Sequence, residues 1–172
     1  FLEGREVSLL AFIDKDSLVP MITAQDYKKA LDGDRGLNTG GMGAITPSPI
    51  ESGELLERIS KEIMIPTFEG IQREGLKYRG VIYFGLMITR EGPKLLEYNV
   101  RFGDPETQAI LPRLESDLLE IMLGVTQDQL SQQDIRWKPG AAITVALTSG
   151  GYPRDYEKGK PITGLDRVKD VV

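Results

Sequence analysis

Hydrophobic and polar positions divide the chain into readable blocks. "REVSLLAFID" (5–14) alternates in part, breaks at "DKDS", and resumes as "LVPMIT" (18–23), which predicts two antiparallel strands joined by a short turn. From Ala24 to Pro49 no period holds, and a loop that long inside a compact unit is either functional or misassigned. Between 52 and 74, Leu55, Leu56, Ile59, Ile63, Phe68 and Ile71 fall near helical spacing, predicting a core-facing helix that Pro66 kinks or interrupts.

Two further strands follow, "RGVIYFGLMIT" and "PKLLEYNV", with a tight "REG" connection. The first is apolar on both faces and is therefore expected at the centre of its sheet. "GDPETQAILPRL" predicts a helix with Asp104 as N-cap and Pro105 at the first helical position, and "SDLLEIMLG" a second helix ended by Gly124. Residues 125–139 are polar and unperiodic and read as a linker. "GAAITVALTSGGYP" and "GKPITGL" read as strands, with a turn at Gly-Gly-Tyr-Pro. The expected division is thus 1–124, a linker 125–139, and the beginning of a small β-rich unit at 140–172. The chain opens on Phe1 directly ahead of a strand, the pattern of a piece of something longer.

Composition narrows the chemistry. With 172 residues and 40% hydrophobic content the chain can bury a core, and no apolar run approaches the roughly 18 residues of a membrane span, so a cytosolic protein is the default. A net charge of -5 with scattered Lys and Arg argues against nucleic acid and for a small-molecule partner. There is no cysteine and no histidine. Catalysis must then use carboxylates, amides, lysine, arginine and backbone.

Two stretches concentrate chemistry. "GLNTGGMGAI" (36–45) is either a flexible surface loop or a backbone surface shaped to lie against a ligand. In "LLEYNVRFGDPETQ", strand alternation puts Glu97, Asn99 and Arg101 on one face and Leu96, Tyr98 and Val100 on the other. A carboxylate and an amide oxygen suit a hard divalent cation, and the arginine can face a phosphoryl group. A solvated strand surface explains the same three residues.

"EYNVRFGDPETQ", with "NTGGMGA", "QDYK" and "GGYP" in the same order, resembles the glycinamide ribonucleotide synthetase (phosphoribosylamine-glycine ligase) family of the ATP-grasp superfamily, over essentially the whole chain. The resemblance implies an α+β fold: the C-terminal half of an ATP-grasp domain, an antiparallel sheet with helices packed on it, followed by the start of a small β-rich domain. It implies a cytosolic ligase of purine biosynthesis whose substrates are ATP, glycine and 5-phosphoribosylamine and whose cofactor is Mg²⁺ or Mn²⁺. The reaction passes through a glycyl phosphate.

Carried over by position, Glu97 and Asn99 match metal ligands and Arg101 the arginine facing the phosphoryl group in flight. Leu2 matches the hinge residue whose backbone touches adenine, and Glu6 the acid that accepts from the ribose hydroxyls. Asn38, Thr39, Gly40, Gly41 and Gly43 read as a substrate cradle whose backbone N–H groups converge on an anion. Asp26 and Lys28 either meet substrate or belong to a polar loop. Asp104, Glu106 and Thr107 either bind an amine substrate or serve the helix start.

Two departures from the family pattern stand out. The strand before Glu97 offers Tyr83, Phe84 and Gly85 where many ATP-grasp enzymes carry a second acidic ligand. The family's N-terminal portion is missing, which implies that this chain alone is not a competent ligase and needs that part of the same enzyme. Alternative readings are another carboxylate-amine ligase of purine synthesis, such as carboxyaminoimidazole ribonucleotide synthetase, and a non-catalytic nucleotide-binding domain.

Overall fold

A computed structural model of the chain describes residues 1–169. Its centre is a four-stranded antiparallel sheet. β1 (Arg5–Ile13) turns into β2 (Leu18–Pro20) as the apolar pattern predicts, with Ala11 opposite Pro20. Four short strands follow: β3 (Gln25–Asp26), β4 (Lys29–Leu31), β5 (Arg35–Asn38) and β6 (Gly43–Thr46). The stretch expected to lack structure is therefore a set of short antiparallel ladders, β4 with β5 and β3 with β6. Strands of two to four residues are too short to show a period.

Ser52 caps α1 (Gly53–Ile59), accepting from the Leu55 N–H at 3.1 Å. A π turn over Ser60–Met64 then leads into α2 (Ile65–Arg73), with Ile65 N–H donating to the Ser60 carbonyl five residues back. Pro66 lacks an N–H and crowds the preceding turn, so the ladder widens just ahead of it. This is the interruption the sequence predicts.

β7 (Gly80–Thr89) and β8 (Gly92–Asn99) form a hairpin closed by Arg90 and Glu91, and the order β2-β1-β7-β8 makes β7 a central strand as expected. Its alternation splits the core. Val7, Leu9, Ala11, Ile13, Ile82, Phe84 and Leu86 pack against Ile59, Ile63 and Met64 of the kinked helix. Leu10, Phe12, Val81 and Tyr83 pack on the opposite face against α3 (Glu106–Ile110) and α4 (Leu118–Thr126), through Ile110, Ile121 and Val125.

Three local expectations are corrected. Pro105, not Asp104, sits at the N-cap of α3, because the Asp104 carboxylate accepts from Gln108 Nε2 at 2.6 Å rather than from the first helical N–H groups. Gly124 does not end α4, which runs on to Thr126; a Cβ there would lie 2.7 Å from Gln133 Nε2, so the glycine makes room for the chain folding back. Residues 159–165 form no strand; Ile162 is 81% exposed and finds no ladder partner among the described residues.

Residues 125–139 lie along the core. Leu130 is buried, its N–H donates to the buried Asp14 carboxylate at 2.8 Å, and Leu114 bridges to Trp137. Beyond them β9 (Ala142–Val145) pairs with β6, completing the sheet β3-β6-β9. Residues 150–153 form the expected turn.

Candidate functional site

On β8 the register places Glu97 opposite Gly85 and Asn99 opposite Tyr83, on the sheet face that also carries Ser8. Asn99 Nδ2 donates to Glu97 Oε1 at 3.1 Å, and Arg101, just past the strand, donates to Asn99 Oδ1 at 3.4 Å. The three residues form a hydrogen-bonded series along one edge, as alternation predicts. Tyr98 takes the opposite face, edge-on to Phe84 with ring centroids 5.7 Å apart. Leu96 departs from the expected alternation. Gly85 pairs with Glu97 and Leu86 with Leu95, so Leu96 is the extra residue of a β-bulge and lines the same cleft as Glu97.

That cleft, about 140 Å³, is bounded by Glu6, Ser8, Asp26, Lys28, Tyr83 and Glu97, with Val7, Leu86 and Leu96 supplying apolar wall. Lys28 Nζ lies 3.2 Å from Glu6 Oε2 and 3.9 Å from Asp26 Oδ2. Burial disfavours the Lys28 charge, but Glu6, Asp26 and Glu97 outweigh it and hold the ammonium above its ordinary range. Asp26 is different in kind: its side chain is only 8% exposed, and Oδ1 is buried without a hydrogen-bond partner. Burial first, then the charge of Glu106, raises its carboxyl to about 6, with Lys28 opposing.

Behind the cleft is a buried cluster that pattern reading misses. Ser8 Oγ donates to Glu106 Oε1 at 2.7 Å, Tyr83 OH donates to the same oxygen at 2.9 Å, and the two hydroxyls are 2.8 Å apart. Burial and the Glu106 carboxylate push the Tyr83 hydroxyl well above its ordinary range. The available signal was a serine and a tyrosine set within otherwise apolar strands. Glu106 is thus a buried member of this cluster, 3% exposed, and not an open ligand contact.

The glycine stretch packs against Asp26, Pro105 and β9. A Cβ on Gly41, at φ +121°, would lie 2.5 Å from Pro105 Cδ and 3.3 Å from Asp26 Oδ1. Gly43 sits against the Thr144 carbonyl of β9. The expected convergence of free N–H groups is not what the structure holds: Gly40 N–H donates to Tyr152 OH at 3.1 Å and Gly41 N–H to Thr39 Oγ1 at 3.0 Å. Thr39 Oγ1 in turn donates to the Lys28 carbonyl, so the loop is tied to the lysine strand. Tyr152, from the Gly-Gly-Tyr-Pro turn, is a contact that sequence reading quotes without a role.

Of the remaining candidates, Leu2 is 40% exposed ahead of β1 and outside the cleft lining. Asn38 is exposed and pairs with Lys29. Thr107 Oγ1 donates back to the Gly103 carbonyl at 2.5 Å.

Among the described residues no three acidic groups converge as a cation cage. The Glu97 carboxylate and the Asn99 amide oxygen, which here accepts from Arg101, are two hard oxygen donors on one strand face, and they fit a divalent ion that draws its other ligands from water and phosphate oxygens. Among the described residues no helix is long and apolar enough to cross a membrane.

The sequence profile described as phosphoribosylglycinamide synthetase, ATP-grasp (A) domain, matches residues 1–107. The chain is 46% identical over 170 residues to the phosphoribosylamine–glycine ligase of Vibrio vulnificus, covering 98% of this chain and 40% of that protein. It is 50% identical over 171 residues to the trifunctional purine biosynthetic protein adenosine-3 of Gallus gallus, covering 99% of this chain and 17% of that one. The crystal structure of phosphoribosylamine–glycine ligase from Thermotoga maritima superposes with a TM-score of 0.84 at 39% identity, over 95% of this chain and 41% of that one.

Proposed function

The chain belongs to the phosphoribosylglycinamide synthetase ATP-grasp family, and from that premise we propose that it forms the metal-binding wall of the ATP cleft in a ligase joining glycine to 5-phosphoribosylamine. The observation that carries this reading is the hydrogen-bonded series Glu97–Asn99–Arg101 beside a cleft whose far rim holds Glu6, Asp26 and Lys28. Divalent metal, Mg²⁺ or Mn²⁺, when bound by Glu97 and Asn99, neutralises charge on the ATP phosphates.

Every other role falls to the chain's own groups. Arg101 faces the phosphoryl group as the glycine carboxylate attacks the γ-phosphorus and ADP leaves; the amine of phosphoribosylamine then attacks the acyl carbon, displacing phosphate and giving up a proton. Both steps move negative charge, so fixed cations and positioning carry them. Glu6 accepts from the ribose hydroxyls, and the backbone at Leu2 borders adenine. Asn38, Thr39 and Gly40 meet substrate where the loop faces outward, with Gly41 and Gly43 shaping it; Asp104 and Thr107 stand at its edge. Residues 1–124 form the ATP-grasp part, 125–139 pack along its core, and β9 joins its β3-β6 sheet before the chain leads on toward the next unit.

The chain spans about two fifths of the length of the bacterial relatives it matches. The full ligase reaction accordingly draws on the sequence those relatives carry outside the matched span. A direct test is metal dependence: ATP titrated calorimetrically into the chain with Mg²⁺ and then with a chelator. Tighter binding with Mg²⁺ supports the reading. Equal binding in both removes Glu97 and Asn99 as metal ligands and favours a non-catalytic nucleotide-binding domain.

A further inference from the structure

We propose that Lys28 is a shared cation, held by Glu6 in the ligand-free chain and passed to Asp26 when Glu6 is engaged by sugar hydroxyls, so that it couples nucleotide occupancy to the charge at the cleft floor. This rests on the reading of Glu6 as the ribose acceptor. Lys28 acts through Asp26 and is therefore a positioning residue.

The geometry is that of one ammonium and two claimants. Lys28 Nζ makes its hydrogen bond to Glu6 Oε2 at 3.2 Å and stops 3.9 Å short of Asp26 Oδ2. The Glu6 pair is half-exposed at both ends, the kind of pair that solvent screens and that exchanges at little cost. Asp26 is the opposite case: buried, with one oxygen unpartnered, and deprived of water that would otherwise solvate it. The groups facing it are Glu106 on α3, Glu6 on β1, Lys28 beyond β3 and the Tyr27 backbone N–H. Glu97 on β8 and Tyr83 on β7 complete the ring. Lys28 is the sole cation among these facing groups, and it is spent on the carboxylate that needs it less.

A hydroxyl pair on Glu6 satisfies that carboxylate with neutral donors and competes with the ammonium for its lone pairs. Lys28 then has Oδ2 of the buried Asp26 carboxylate, whose Oδ1 is without a hydrogen-bond partner, less than one ångström beyond hydrogen-bond reach. Its backbone already ties the glycine stretch, through the Thr39 N–H and hydroxyl on the Lys28 carbonyl. Transfer of the side chain thus acts next to the loop that borders substrate.

The test reads the Asp26 carboxyl directly by carbon-detected NMR across pH in the whole chain, as wild type, Glu6→Gln, Lys28→Met and the double variant. Transfer predicts that Glu6→Gln lowers the Asp26 midpoint by about one pH unit more when Lys28 is present than in the Lys28→Met background. Loss of Glu6 repulsion alone gives the same shift in both backgrounds, and that result overturns the proposal. Lys28→Arg retains the charge and restores the larger shift. Adenosine added to the wild type lowers the midpoint as Glu6→Gln does. Adenosine that binds without moving the midpoint also overturns it. Adenosine that fails to bind, with the variant cycle intact, counts against the ribose role of Glu6 and leaves the shared lysine standing.

Discussion

Glu97 stands directly across the sheet from Gly85, and its Cγ lies 2.9 Å from where a Cβ on that glycine would be. The absence of a side chain on β7 is what lets the carboxylate lie back over the sheet toward the cleft. The glycine gives its volume to the Glu97 carboxylate. Gly85→Ala is therefore expected to keep the fold, by circular dichroism, while weakening Mg-ATP binding roughly ten- to hundredfold, the range for groups that orient a metal ligand. Unchanged affinity would mean that Glu97 has a second, equally good position.

Asp26 predicts a pH dependence of stability with a definite sign. Its carboxyl binds a proton more tightly in the folded chain, at about 6, than the ordinary 3.8 of the unfolded chain. Its contribution is fully present below about 3.8 and is lost as pH rises through about 6. Asp26→Asn should remove that slope and raise stability at pH 8 by roughly 1 to 3 kcal/mol. Urea unfolding of both proteins at pH 4 and pH 8 measures it; parallel losses in the two would place the titration elsewhere.

The segment 125–139 gives a third outcome. Leu130 is 1% exposed, and it belongs to the core cluster with Leu10, Phe12 and Ile121. Leu130→Ala should cost about 2 to 5 kcal/mol, as for other buried leucines. A loss below about 0.5 kcal/mol, the surface range, would show that the segment lies loosely on the core.

Gly41 tests packing against cradling. At φ +121° and with Pro105 Cδ 2.5 Å from a Cβ, Gly41→Ala is strained both in backbone and in volume. An expected cost of about 1 to 3 kcal/mol in unfolding free energy follows. A variant as stable as wild type would return Gly41 to the role of a ligand-facing N–H alone.

How much of this was legible depends on where the partners of each residue lie. The hairpins β1–β2 and β7–β8 and the helix kinked near Pro66 are local, and their patterns appear within a dozen residues or so. Glu97, Asn99 and Arg101 share a face because of strand alternation alone. The strands of 24–49 are two to four residues long, too short to show a period, and β6 also pairs remotely, as when Ala44 meets Thr144. The β-bulge at Leu96 is likewise invisible without the register of β7. Ser8, Tyr83 and Glu106 meet from three separate elements, and only the misfit of hydroxyls in apolar strands hints at them. The capping role expected of Asp104 failed because its side chain prefers Gln108.

In the proposed function Glu97 holds the metal that brings ATP to this wall of the cleft. Calorimetric titration of Mg-ATP into the chain beside Glu97→Ala, with the variant's fold checked by circular dichroism, tests it most directly. The expected result is saturable binding by the wild type that disappears in the variant. Binding of equal strength in both proteins would contradict it.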